Sequence, residues 1–245
     1  MYYVHRTDES WDKCMVERHG WIAASKERGV YFDNDDHFFL PDGRPHLREF
    51  YRESKAHIDK LIAVADLDGR LCLDLGASVG WVETYMLRSI PSVNLIALEV
   101  NDDPVCGLGR AESLKRHAAV EFTCLVADMH HIPLANESVD LVFSVDALHH
   151  FRDLDAVFGE IHRVLRPGGA FHGLNEPDRP DGIDEDSYVK SHITLELRHG
   201  IVERRPTIAE YLEMGECINL RVANDEVGLG KNVVTSGLFL AGGKP

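Results

Sequence analysis

The sequence predicts an α/β protein whose central parallel sheet is covered by helices on both faces. Three observations carry this expectation. Between Gly69 and Pro177 short β-rich runs alternate with helical segments; the first run, LCLDL, passes through a small-residue turn, GASVG, into a helix; and acidic residues stand at the ends of successive runs. Strand–helix alternation at this pitch implies parallel strands joined by right-handed crossovers.

In order, Leu71–Leu75 reads as the first strand and Trp81–Ser89 as the first core helix. Asn94–Val100 follows as a strand, Pro104–His117 as a helix, and Val120–Ala127 and Val139–Val145 as strands. Leu154–Leu165 carries apolar residues at 154, 157, 158, 161, 164 and 165, a helical period, and Pro167-Gly168-Gly169 ends it. Ala170–Leu174 is the fifth strand. Past Pro177, helices are expected near Ser187–His199 and Thr207–Gly215, then β-like runs at Cys217–Ala223 and Val233–Ala241. The first 68 residues differ in character. They hold two of the three tryptophans, the aromatic cluster Tyr31, Phe32, Phe38 and Phe39, and a helix expected over Leu47–Ala65. The expected organisation is a cap and lid segment over 1–68 and one core unit over 69–245.

Bulk properties exclude several classes. At 245 residues, 44% hydrophobic and 27% charged, the chain can bury a full core. Its net charge of −15 disfavours nucleic acid, whose binding needs a basic footprint. The acidic runs Asp33–Asp36 and Asp178–Asp186 read as solvated surface. No apolar run is long enough to span a membrane, and residues 1–20 lack the apolar core of a signal peptide, so a cytoplasmic location is expected. Five scattered cysteines without a C-x-x-C pair fit reduced thiols. The fourteen histidines show no metal-ligand spacing, and no metal is expected.

Chemistry concentrates at the strand ends. The loop Asp74-Leu75-Gly76-Ala77-Ser78-Val79-Gly80 departs from the G-x-G-x-x-G of dinucleotide sites. It places a carboxylate where a pyrophosphate would be repelled, which suits a cationic ligand such as a sulfonium or ammonium; a tight turn with no ligand is the plainer reading. Glu99, closing the second strand, can accept from both hydroxyls of a ribose or stand as a solvated end. Asp128 can accept from an adenine amino group and Met129 can pack on the ring face or simply join the core. His149 and His150 follow the fourth strand at the sheet edge where open α/β folds bind ligands, and an imidazole there can act as base or merely pack.

The run over 127–169, ADMHHIPLANESVDLVFSVDALHHFRDLDAVFGEIHRVLRPGG, resembles the class I S-adenosylmethionine-dependent methyltransferases, particularly their small-molecule branch. Its marks are an acid closing strand three, I-P-x-x-x-x-S-V-D, a short hydrophobic strand, L-H-H and R-V-L-R-P-G-G, and the match spans Leu71–Pro177. The resemblance implies a Rossmann-like seven-stranded sheet of order 3-2-1-4-5-7-6 with the last strand antiparallel. It implies Asp74, Gly76, Ala77, Ser78 and Gly80 around the methionine moiety, Glu99 at the ribose, Asp128 and Met129 at the adenine, and Ser144–Val145 beneath the cofactor. It further implies His149 or His150 as base with Glu176 assisting. Ser78 departs from the family, which has glycine there.

These readings converge on methyl transfer from S-adenosylmethionine to a small-molecule acceptor, an oxygen of a sugar or secondary metabolite. The rival reading is a protein that binds this cofactor without transferring methyl. Acceptor contacts are sought in Tyr2, Tyr3, Trp11 and Trp21, which can also be core, and in Arg198, Arg204 and Arg205, which can recognise an anion or stay solvated.

Overall fold

The computed structural model describes residues 1–5, 8–29, 31, 49–228 and 234–244. Tyr2–Val4 forms β1, Asp8–Glu27 forms α1 and Glu49–Val64 forms α2. The core then runs β2 (Leu71–Leu75), α3 (Trp81–Ser89), β3 (Asn94–Glu99), α4 (Ala111–Ala118), β4 (Thr123–Val126), β5 (Val139–Val145), α5 (Leu154–Val164) and β6 (Leu165–Glu176). Three short helices follow, α6 (Glu185–His192), α7 (Leu195–Arg198) and α8 (Ile208–Met214), before β7 (Arg221–Gly228) and β8 (Val234–Gly243).

The eight strands pair in the order β1-β4-β3-β2-β5-β6-β8-β7, parallel through β6, with β8 antiparallel to both β6 and β7. Without β1 this is the order 3-2-1-4-5-7-6. β1 has no signature in the residues alone, because three exposed positions against the sheet edge leave no alternating pattern. The acidic run Asp33–Asp36 and the aromatics Phe32, Phe38 and Phe39 lie outside the described residues.

Both faces of the sheet are covered. Along β2, Leu73 and Leu75 join the apolar cluster that holds Leu154, Phe158 and Ile161 of α5. Cys72, pointing the other way, joins Ile58 and Leu61 of α2, Met86 of α3 and Leu114 of α4. No helix among the described residues is long and apolar enough to cross a membrane.

Several boundaries moved for local reasons. β6 begins at Leu165, ahead of the expected Ala170, because Val139 pairs with Leu165 before a register shift admits the Pro167–Gly169 turn. The single helix expected over Ser187–His199 breaks at Ile193 and Thr194 into α6 and α7. Thr207 caps α8 by accepting from Glu210 N–H at 3.2 Å, while the Glu210 side chain accepts from Thr207 N–H at 2.8 Å.

Two glycines separate strain from crowding. Gly69 and Gly80 both adopt positive φ, 68° and 81°, but a Cβ at Gly69 would meet nothing within 4 Å, whereas one at Gly80 would lie 2.8 Å from Phe122 Cζ. Gly69→Ala should therefore cost about 1 kcal/mol, the left-handed strain alone. Gly80→Ala should cost about 3 kcal/mol, since overpacking adds to it. Urea unfolding of the two variants measures the difference, and equal losses would contradict the assignment.

Candidate active site

Parallel strands bring their carboxyl ends to one edge, and acids stand there on four of them. Glu99 closes β3, and its Oε2 accepts from Ser78 N–H at 2.9 Å while Oε1 accepts from the N–H groups of Val100 and Asn101 at 2.8 and 2.9 Å. This clip holds the turn after β2. Ser78 adopts φ 50°, the left-handed region where a glycine is at ease, and its N–H bond to Glu99 supports that conformation. Asp128, just past β4, accepts on Oδ1 from His130 N–H at 3.0 Å and from His130 Nδ1 at 2.7 Å. Burial pushes its pKa upward, but these bonds win and hold it below the usual carboxylate range.

Glu176, the last residue of β6, is fully buried. Its Oε1 accepts from the N–H groups of Ala147 and Leu148, both at 3.0 Å, and its Oε2 from His149 N–H at 3.3 Å and His149 Nδ1 at 2.9 Å. The single turn Leu148–His150 is thus pinned to the end of the neighbouring strand. Because Nδ1 donates to the carboxylate, Nε2 is the lone-pair nitrogen of His149. Burial raises Glu176 to about 7 against its hydrogen bonds, and burial together with the Arg205 charge lowers His149 to about 3. His149 is therefore neutral at physiological pH.

Asp74 breaks the pattern. It is 1% exposed, and neither carboxyl oxygen meets a hydrogen-bond donor; the same holds for Glu83 in the first turn of α3. Burial first, and each other's charge second, keep the Asp74 carboxyl well above its ordinary value. Two buried carboxyls this close share a proton or await a cation.

A cavity of about 700 Å³ opens on this edge. Asp74, Gly76, Ala77, Ser78, Glu99, Asp128, Met129 and Val145 line it, as do His149 and His150. Gly80, Ser144 and Glu176 stand behind its wall. Gly80 backs onto Phe122, the Ser144 hydroxyl donates to Leu75 C=O at 3.1 Å, and Glu176 acts on the site only through the turn it pins.

The other half of the cavity comes from α1 and from residues 193–205, which sequence reasoning largely missed. Glu17, Arg28, Glu196 and Glu203 line it. Glu17 accepts from Val202 N–H at 3.1 Å and is raised to about 7 by burial; Arg28 pairs with Glu196; Arg18 reaches Asp102 at 2.5 Å. Of the aromatic candidates, Trp21 meets His150 edge-on at 4.9 Å, Tyr2 and Tyr3 lie exposed on β1, and the Trp11 side chain lies outside the described residues. Of the three arginines, only Arg205 lines the cavity, bound to Glu203 at 2.7 Å; Arg204 pairs with Glu185 and Arg198 with Glu27. The sole advance sign of these residues was their position outside the strand–helix repeat.

The Asp74–Glu83 pair makes a pH prediction. Unfolded, both carboxyls titrate in the ordinary range; folded, the pair keeps its proton to higher pH, so stability falls as pH rises through that window. Glu83→Gln removes the part of this loss due to Glu83 and its charge on Asp74, leaving the part due to burial of Asp74, while every other titrating group is common to both proteins. The variant should gain stability relative to the parent between pH 5 and pH 8 in urea unfolding, and a pH-independent difference would show that the pair ionises normally.

A family profile described as "Methyltransferase domain" matches residues 73–172. The chain is 37% identical over 97 residues to malonyl-[acyl-carrier protein] O-methyltransferase of Hahella chejuensis, covering 40% of this chain and 33% of that one. It is 32% identical over 124 residues to sterol 24-C-methyltransferase erg6 of Schizosaccharomyces pombe, covering 51% and 32%. The chain spans about a third of the length of the first curated relatives it matches. Among solved structures, phosphoethanolamine N-methyltransferase 2 of Haemonchus contortus superposes with a TM-score of 0.66 at 16% identity, over 93% of this chain and 60% of that one. Residues 73–172 therefore form a methyltransferase domain.

Proposed function

We propose that the protein transfers a methyl group from S-adenosylmethionine to a small-molecule acceptor, at an oxygen of a sugar or secondary metabolite. When bound, the cofactor supplies an electrophilic methyl on a cationic sulfur. The residues fit it on one observation above all: Asp74 faces the cavity, and apart from the Glu83 carboxyl beside it neither of its oxygens meets a protein partner, a need an ammonium group would satisfy. Glu99 would take the ribose, Asp128 and Met129 the adenine, and Gly76, Ala77, Ser78 and Val145 the surface between them. The cavity, at about 700 Å³, has room for a second molecule beside the cofactor.

The choice of oxygen rests on the His149–Glu176 pair. A neutral imidazole with its lone-pair Nε2 on the cavity side and Nδ1–H tied to a carboxylate is poised to take a hydroxyl proton. Removing that proton leaves an imidazolium against Glu176, an attraction that a dry site strengthens and that offsets the depression of His149 by burial. His150, with Nδ1 bonded to Val202 C=O at 2.9 Å, flanks it. Alignment of the two reactants supplies the larger share of the acceleration.

The reading requires both binding and transfer. Isothermal titration with S-adenosylmethionine should show stoichiometric binding, weakened by Asp74→Asn. An isotope-labelled methyl assay on extract acceptors should show transfer, with His149→Ala lowering turnover about 10²–10⁴-fold and leaving cofactor affinity nearly unchanged. Cofactor binding without any label transfer would favour the rival, a binding protein that does not transfer methyl.

A further inference from the structure

The cavity's acceptor half holds a set of donors that methyl transfer by a free imidazole does not require. One ring nitrogen each of His149 and His150 and one carboxylate oxygen of Glu203 lie within 4.8 Å of one another, and all three residues line the cavity. Glu203 reaches the histidines from 53 residues downstream, so no spacing along the chain could have revealed the group.

The geometry points to a divalent-cation site formed by His149, His150 and Glu203, with zinc the ion best matched to two imidazoles and a carboxylate. This rests on the reading of the cavity as the place where the acceptor binds. Two imidazoles with one carboxylate form a donor set used by borderline transition metals, and a catalytic zinc site keeps a fourth position open.

The surroundings carry the argument further than the three donors alone. A metal-bound histidine donates its other ring N–H to a carboxylate or a backbone carbonyl, which fixes ring and tautomer. His149 Nδ1 meets the Glu176 carboxylate at 2.9 Å, and His150 Nδ1 meets Val202 C=O at 2.9 Å. Both rings are thus held with Nε2 as the lone-pair nitrogen. Glu203 is held as well: its Oε2 accepts from Arg205 Nη1 at 2.7 Å, while its Oε1 lies 3.5 Å from His150 Nδ1, on the same edge of the ring as Val202 C=O. Arg205 pairs with Glu203, and its charge also acts on Glu176 behind His149.

Ligand atoms on a tetrahedral zinc lie about 3.3 Å apart, given bonds of about 2.0–2.1 Å. Donors up to 4.8 Å apart must therefore close by about 1.5 Å, and Glu203 must swing from the Nδ1 edge of His150 toward its Nε2. The ion's open position then faces the cavity and would take an oxygen of the acceptor. The substrate class narrows to acceptors offering a hydroxyl or carboxylate oxygen to a metal; with the ion on His149 Nε2, coordination that favours the deprotonated hydroxyl replaces proton removal by the free imidazole.

Chelator-treated full-length protein titrated with zinc chloride by competition calorimetry tests the site. We expect one equivalent bound at the site, with affinity falling at least 10-fold in His150→Ala and in Glu203→Gln. Glu176→Gln should weaken it about 10–100-fold through His149. Zinc bound equally well by wild type and by the His149→Ala, His150→Ala double variant would overturn the proposal, since surface histidines would then account for it. Absence of stoichiometric binding to folded wild type, verified by circular dichroism, would overturn it as well. S-adenosylmethionine titrated into the same metal-free sample reads the cofactor site separately, so failure of zinc binding and failure of cofactor binding are distinguishable.

Discussion

The organising constraint in this molecule is the satisfaction of backbone N–H groups where the parallel strands end. Each strand leaves the sheet at the same edge, and the turns that follow carry amides that no ladder pairs. Acids at the strand ends accept them: Glu99 takes three, Asp128 takes one with a histidine ring, and Glu176 takes three with another. Each bond fixes a turn that lines the cavity. Asp74 alone, at the end of β2 in the middle of the sheet, receives no donor. A carboxyl left in that state beside an open cavity is suited to a ligand's cation, and its neighbours are engaged in holding the loops around it.

This double use explains what could be read from residues alone. The positions of Asp74, Glu99 and Asp128 were legible because they sit at the ends of hydrophobic runs whose period marks strands. Their structural duty was not, because the amides they accept come from turns whose conformation no pattern encodes. Ser78 illustrates the point. In the sequence it is a departure from glycine; in the fold it is a left-handed residue whose amide is held by Glu99. The sheet order was accessible through the resemblance, whereas β1 was not accessible at all, since three exposed residues pairing with β4 carry no periodic signal.

The half of the cavity opposite the strand ends was the least legible part. It is assembled from α1 and the segment around α7, which meet only in three dimensions, through Glu17 to Val202, Arg28 to Glu196 and Glu27 to Arg198. Arginines in this region read alike in sequence but differ in the fold. Arg198 is 61% exposed at its side chain, whereas Arg205 is 12% exposed and turned into the cavity wall. Burial decides which one meets a ligand, and burial depends on contacts distant along the chain.

The division of the cavity has a consequence for redesign. One wall lies within residues 74–152, while apart from His149 and His150 the opposite wall belongs to 14–28 and 193–205. The two walls meet at the Leu148–His150 turn, which Glu176 fixes from behind. Grafting α1 and the 193–205 segment from another protein of this fold would exchange one pocket wall as a unit. The graft would need to supply a partner for His150 in place of the Val202 carbonyl, and that one hydrogen bond sets the compatibility rule for a chimera.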